Sequence, residues 1–302
     1  MSTDAGEGEE NKACCASCGI AEGDDVKLKR CNGCYLVRYC GIECQKEHRP
    51  KHKEECKKRA SELRDEILFK QPECSDIGDC PICCFPLPID EKISLQRCCS
   101  KRICCGCLYA HMKREVEEEL ENKCPFCRSP QSYGLAESQT LKRVEANDPV
   151  ALCDMGKEHA KEGDFQSALE YFTKAVKFGD KAEAHFLLSQ MYHYGDGVEK
   201  DKKKELYHLE EAAIGGYPEA RHNLGAFEGR NKKYERATKH WIIAASMGYD
   251  ESLEYLKKNY ATGFVTKEEF ASALRAHQAA VDATKSPQRE EARMFMHSLK
   301  KK

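Results

Sequence analysis

From Cys80 the chain reads CPICCFPLPIDEKISLQRCCSKRICCGC (80–107), and from Cys124 it resumes with CPFCR (124–128). Ten cysteines fall within this span of fewer than fifty residues. Paired C-x2-C spacings read as metal sites where thiols stay reduced, and as disulfides where they do not. The rest of the chain selects the first. Nineteen of the twenty cysteines precede residue 130, and only Cys153 follows. A redox framework spread through the fold would not stop so abruptly. The opening MSTDAGEGEENK (1–12) is acidic and polar, unlike a secretion signal. No run of about 18 apolar residues occurs, so no membrane span is expected. These features predict a soluble protein of a reducing compartment, cytoplasmic or nuclear.

The 302 residues suit two or three domains, and 33% of them are charged with a formal balance of −2. Near-neutrality argues against a dedicated nucleic-acid binder. The one basic stretch, KEHRPKHKEECKKR (46–59), alternates its lysines and histidines with glutamates and reads as solvated helix charge. The sequence divides into a disordered N-terminus (1–13), a first Cys/His block (14–56), a helical linker (57–79) and a second cysteine block (80–128). Helical repeats (148–287) and a basic C-terminal tail (288–302) follow. The linker helix is expected to carry Leu63, Ile67 and Lys70 on one stripe and to stop at Pro72. Within the second block, residues 108–123 read as a further helix.

In the first block the candidates are Cys15 and Cys18, Cys31 and Cys34, Cys40 and Cys44, then His52 and Cys56. Seven thiolates and one imidazole divide into two tetrahedral sets of four, which suits structural Zn2+. His52 and Cys56 lie four apart, so one helical turn presents both. His48 competes with His52. The spacing resembles the MYND zinc finger at all eight positions. That resemblance implies one ion on Cys15, Cys18, Cys40 and Cys44 and another on Cys31, Cys34, His52 and Cys56. It also implies a protein-interaction module that docks short proline-containing peptides. Some lysine methyltransferases carry such a finger, but no NHxxxPN-like element and no glycine-rich cofactor loop occurs here.

The second block offers Cys80, Cys83, Cys98, Cys99, Cys104, Cys107, Cys124 and Cys127. It resembles a RING finger, which implies one site on Cys80, Cys83, Cys104 and Cys107 and a second on Cys98, Cys99, Cys124 and Cys127. It departs from that family at Lys101, where the usual histidine falls. The vicinal pair Cys98–Cys99 gives an all-cysteine variant, with Cys105 or His111 as alternative donors. Four zinc ions are therefore expected, two per finger, and no other cofactor. Cys14, Cys74, Cys84, Cys105 and Cys153 remain as free thiols. By the same resemblance Ile82, Leu108 and Pro125 would dock a ubiquitin-conjugating enzyme, and Arg128 would clamp enzyme and ubiquitin together. A RING finger has no catalytic residue of its own and acts by orientation.

After residue 148 the pattern changes to a repeat. AVKFGDKAEA (175–184), AAIGGYPEA (212–220) and AASMGYDES (244–252) align on Gly179, Gly216 and Gly248, and AAVDATKSP (279–287) is a weaker fourth copy. Apolar residues recur between them at helical spacing, as in Leu187, Leu188 and Met191, or Ala237, Trp241 and Ala244. This predicts an all-α solenoid of helical hairpins with glycine closing each hairpin. YHYGDGVEKDKKKELYHLEEAAIGGYPEA (192–220) resembles the Sel1-like repeat, and GDFQSALEYFTKAV (163–176) looks more like its tetratricopeptide relative. The fold class expected is thus two small zinc-stabilised modules followed by a Sel1/TPR-like solenoid. The whole arrangement resembles MYND–RING–Sel1 proteins of the multicopy families of diatoms and other stramenopiles. Two readings of function stay open: a RING-type E3 ubiquitin ligase that selects substrate through the other modules, and a non-catalytic scaffold or adaptor. Both make proteins or peptides the partners and exclude a membrane, and nucleic acid is disfavoured.

Overall fold

A computed structural model of the protein describes residues 13–89, 93–132, 134–179 and 182–299. The N-terminal segment expected to be disordered lies, but for residue 13, outside them, as do the last three residues of the expected tail. The chain forms two compact units, residues 1–70 and 71–302, described here separately.

The first unit contains very little regular structure besides one helix. Strands β1 (Lys29–Arg30) and β2 (Arg38–Tyr39) pair antiparallel, with Lys29 opposite Tyr39. A small core of Cys15, Leu28, Cys31, Cys34 and Tyr39 gathers beside them. Helix α1 (Ile42–Leu68) then runs without interruption for 27 residues. Here the structure corrects the sequence reading, because the expected linker helix is the second half of the helix that begins inside the finger. Pro50 lies within α1 without ending it, and the helix stops at Leu68, four residues short of Pro72. Leu68 is the buried residue of its last turns, whereas Ile67 of the expected stripe is exposed. Its charges pair locally, Lys46 with Glu43, Lys57 with Glu54 and Arg59 with both Glu62 and Glu66. That is the solvated-face reading of the basic stretch.

The second unit opens with a finger built on β3 (Ser94–Gln96) and β4 (Lys101–Ile103), an antiparallel pair with Leu95 opposite Arg102. Helix α2 (Cys105–Glu117) follows at once, three residues earlier than the sequence suggests and six shorter at its end. Cys104 is its N-cap, the Sγ accepting from the backbone N–H of Cys107. After α3 (Ala136–Glu145), which the sequence reading left unassigned, come four helical pairs. They are α4 (Pro149–Lys161) with α5 (Phe165–Phe178), α6 (Ala182–Tyr194) with α7 (Lys202–Ile214), α8 (Pro218–Arg230) with α9 (Tyr234–Ser246), and α10 (Asp250–Ala261) with α11 (Lys267–Ala283). The last helix is α12 (Pro287–Leu299).

The hairpins stack because their facing surfaces are small. Ala168, Ala175, Ala184, Ala212, Ala213, Ala220, Ala244 and Ala245 are all fully buried, which lets neighbouring helices approach closely. Large side chains fill the remaining space at equivalent places. The Phe172 ring covers Gly156 in the first pair and the Trp241 ring covers Gly225 in the third, both sixteen residues on. A Cβ on either glycine would meet the ring at 2.5 Å or less, so each close approach requires glycine. Between hairpins, Gly179, Gly216 and Gly248 have φ of 128°, 88° and 93°. Only glycine enters that region without strain, which is why these positions mark the repeat in the sequence. The weaker fourth copy has no glycine. It closes α11 at Thr284 with an ordinary helical φ of −84°.

The finger of the second unit is seated on this solenoid. Asp76 N–H donates to Gly216 O at 3.1 Å, and Arg102 of β4 pairs with Glu183 of α6 at 2.5 Å. Helix α12 packs along α2, with Phe295 against Tyr109 and Lys113 paired to Glu291. The expected basic tail is therefore a docked helix as far as Leu299. The sequence does not mark this docking, since the buried residues of α12 are Ala292 and an arginine, Arg289. No helix among the described residues is long and apolar enough to cross a membrane.

Candidate metal centres

The ligand candidates are set on tight turns that the sequence repeats five times. Gly19, Tyr35, Cys84, Ser100 and Arg128 each follow the second cysteine of a pair, and each has positive φ, between 55° and 76°. The N–H groups of Gly19, Tyr35, Cys84 and Arg128 return to the carbonyl of the first cysteine, at 2.8 to 3.0 Å. A non-glycine residue held there costs about 1–3 kcal/mol, so the turns persist only where something else fixes both thiols. Cys84, expected as a spare thiol, has that structural place.

Four sets of donor atoms converge, each within 4.8 Å of one another: Cys15, Cys18, Cys40 and Cys44; Cys31, Cys34, His52 and Cys56; Cys80, Cys83, Cys104 and Cys107; Cys98, Cys99, Cys124 and Cys127. In both fingers the pairs interleave, first with third and second with fourth. A tetrahedron with Zn–S near 2.3 Å has S···S edges of about 3.8 Å. Observed separations are 3.6 Å for Cys18–Cys40, 3.7 Å for Cys31–Cys56, 3.8 Å for Cys83–Cys104 and 4.0 Å for Cys99–Cys124. All twenty cysteines are free of disulfides. The donor chemistry and the spacing both fit Zn2+, and the described residues form four such centres.

Electrostatics explains why a cation belongs there. Hydrogen bonding to Cys44 and then Cys18 pushes the Cys40 thiol up to about 12. Burial raises Cys15, but the backbone N–H groups of Cys18 and Cys40 more than reverse it, to about 6. Burial likewise raises Cys127, and the Ser129 hydroxyl and N–H bring it down to about 6. Burial and then hydrogen bonding with Cys127 push Cys98 up instead. Sulfurs this close resist ionising together, and a divalent cation between them removes the conflict.

The alternatives left open by the sequence are placed elsewhere. His52 Nε2 lies 3.2 Å from Cys34 Sγ, while His48 stacks on the His52 ring and bonds Tyr39 OH through Nδ1 at 3.1 Å. His111 Nε2 sits 2.7 Å from Lys123 O and 2.9 Å from Glu115. Cys105 is buried at the start of α2, outside all four sets. Lys101 holds its ammonium 5.8 Å from the Phe126 ring. Gln131 escaped the sequence reading; its Nε2 donates to Cys98 Sγ at 3.2 Å, and no spacing rule marks it.

Leu108 and Pro125 line one open groove of about 520 Å3, together with Leu95, Met112 and Val116. Ile82 is 41% exposed and Arg128 is exposed, and neither lines it. The structure thus brings together two of the four docking candidates.

Residues 15–56 match the MYND finger family, and residues 149–180, 182–217 and 218–249 match the Sel1 repeat. The chain carries a MYND finger and three Sel1 repeats. Among solved structures it is similar to a Sel1 repeat protein from Oxalobacter formigenes, at 23% identity and TM-score 0.44, over 59% of this chain and 72% of that one. It is also similar to a protective antigen of uropathogenic Escherichia coli strains displaying an SLR fold, at 21% identity and TM-score 0.38, over 64% and 40%. No curated protein matches the chain. The MYND–Sel1 chain is a zinc-binding multidomain protein with a repeat array of the protein-interaction type.

Proposed function

We propose that this protein is a RING-type ubiquitin ligase whose second finger recruits a conjugating enzyme, while the MYND finger and the Sel1 array select the substrate. The observation that carries the reading is the groove between α2 and the last cysteine pair, where Leu108 and Pro125 meet over an interleaved pair of cysteine tetrads. Met112 and Val116 add exposed apolar surface on the same side of α2. Helix α12 occupies the face of Gly106, Tyr109 and Lys113 instead, so the groove stays open. Arg128 follows the last cysteine on a left-handed turn with its side chain exposed.

In this reading the sixteen residues of the four tetrads are the zinc ligands, and the finger domains span 14–56 and 80–128. Zinc supplies cross-links that hold the docking surface in shape, and takes no part in transfer chemistry. The partner enzyme brings the reactive group, and the finger contributes its orientation. The compartment is reducing, cytoplasmic or nuclear, since twenty cysteines without a disulfide need one.

A second reading has its own observation. Ile82 stands outside the groove, and Lys101 replaces the usual histidine, as suits a zinc scaffold that assembles proteins without transferring ubiquitin. Autoubiquitination with a panel of conjugating enzymes separates the two. Signal that Leu108→Ala and Arg128→Ala abolish, with zinc content unchanged, supports the ligase; no signal with any enzyme leaves the scaffold.

A further inference from the structure

Arg289 is an arginine with 1% of its surface exposed, on a helix that begins 160 residues after the last cysteine pair. Burying a guanidinium is costly unless its donors are satisfied. Here Nη1 donates to Pro86 O at 2.7 Å and to Thr284 O at 2.6 Å, and Nη2 to Phe85 O at 3.2 Å and to Cys83 Sγ at 3.4 Å. The Nε is buried and finds no hydrogen-bond partner among the described residues. Three of the four acceptors belong to the first cysteine turn of the second finger. The Phe85 ring lies against the guanidinium, 5.9 Å from centroid to Cζ.

The approach is built in from both sides. A Cβ at Gly106 would stand 2.9 Å from the Arg289 backbone, so glycine at the second position of α2 admits the helix. Phe295 packs on Tyr109 at 4.8 Å, and Glu291 pairs with Lys113 at 3.1 Å. The tetrad that Arg289 faces is itself deeply buried at Cys80, Cys104 and Cys107. Four thiolates around one Zn2+ leave a formal charge of −2 in that interior. A charged N–H donor on a ligand sulfur offsets part of it and slows loss of the ligand.

We propose that Arg289 is the outer-sphere partner of the zinc ion held by Cys80, Cys83, Cys104 and Cys107. The C-terminal helix is then part of the finger, which is assembled from two segments some 160 residues apart with the Sel1 array between them. The finger cannot swing freely on its linker, because its metal site is closed by the far end of the solenoid. Arg289 is a positioning residue, and this assignment is independent of the ligase reading. The donors described at the other site of the same finger are neutral, Gln131 on Cys98 and Ser129 on Cys127.

The test is zinc release from the full zinc-loaded chain to a chromogenic chelator, following the four equivalents separately in time. Arg289→Gln is expected to release one equivalent at least about tenfold faster, with the other three unchanged. Arg289→Lys, which keeps the charge but not the fork, should fall between. Phe295→Ala, which loosens α12 without touching the guanidinium, should speed the same equivalent less. A variant that purifies with three zinc ions in place of four supports the same assignment. Release of all four equivalents at the wild-type rate from Arg289→Gln overturns it. So does acceleration of all four together with loss of the solenoid's thermal transition, which would make Arg289 a folding residue alone.

Discussion

The two halves of this chain solve the problem of order in opposite ways. The fingers have strands of two or three residues and cores made largely of cysteine. Their fixed geometry comes from ligand turns, and left-handed φ at Tyr35, Cys84, Ser100 and Arg128 stores strain that only a bound ion over-determines. The Sel1 region holds no cysteine tetrad and orders itself by close helix packing, alanine against alanine with Phe172 and Trp241 over glycines. The lesson is that one chain can be ordered by two different means, one chemical and one steric, even where the two are in contact.

Removing the metal should break that comparison most visibly. Exhaustive chelation is expected to unfold both fingers, since structural zinc supplies about 10–16 kcal/mol of apparent folding free energy per site. The hairpins should keep their helicity. Hydrogen exchange checks both at once, and fingers that stay protected without metal would show that apolar packing suffices there.

The converse change acts on the other half. Trp241→Ala should cost the array about 3–5 kcal/mol, because the ring fills the space over Gly225 and donates Nε1–H to His222 O at 3.3 Å. Zinc content should stay at four ions per chain. Denaturant unfolding with metal analysis tests this, and loss of zinc alongside stability would mean the halves fold together.

Acid offers a finer probe. Burial, and then His185, holds His208 down at about 4, and burial, then Arg221 and Arg236, holds His240 down at about 3. Both imidazoles have folded pKa values below the ordinary 6.5, so protons bind the unfolded chain better. Stability is full above pH 6.5 and falls as pH drops toward 4 and below. In zinc-free protein the thermal midpoint of the array should drop by roughly 5 °C across that window, and His208→Gln should flatten the slope. A flat profile would place these histidines in contact with water.

The smallest effect separates the two histidines of the MYND finger. His48→Gln should leave four ions bound and cost about 1 kcal/mol, the price of one bond to Tyr39. His52→Gln should bind three. Equal loss from both would mean that His48 shares the ligand role.

Much of the metal chemistry was legible because ligand spacing is a local property. Two cysteines three apart can offer both thiols from one side of a single turn, and His52 and Cys56, four apart, share a helical turn. The repeat was legible for a similar reason, since Gly179, Gly216 and Gly248 need a backbone that other residues enter only under strain. Local rules failed where distant parts meet. The linker helix proved continuous with the finger helix through Pro50, and Leu68 rather than Ile67 was the buried residue. Ile82 resembles a docking residue by its place in the turn, yet the groove forms around α2 without it.

By itself the sequence determined which atoms can hold metal and where the hairpins turn, because both follow from residue type at fixed short spacing. Only the tertiary structure decided that α12 is a part of the second finger and that Arg289 reaches a cysteine sulfur from the far end of the chain. No periodicity encodes that meeting. It depends on Gly106 clearing room for a helix that the intervening hairpins deliver to it.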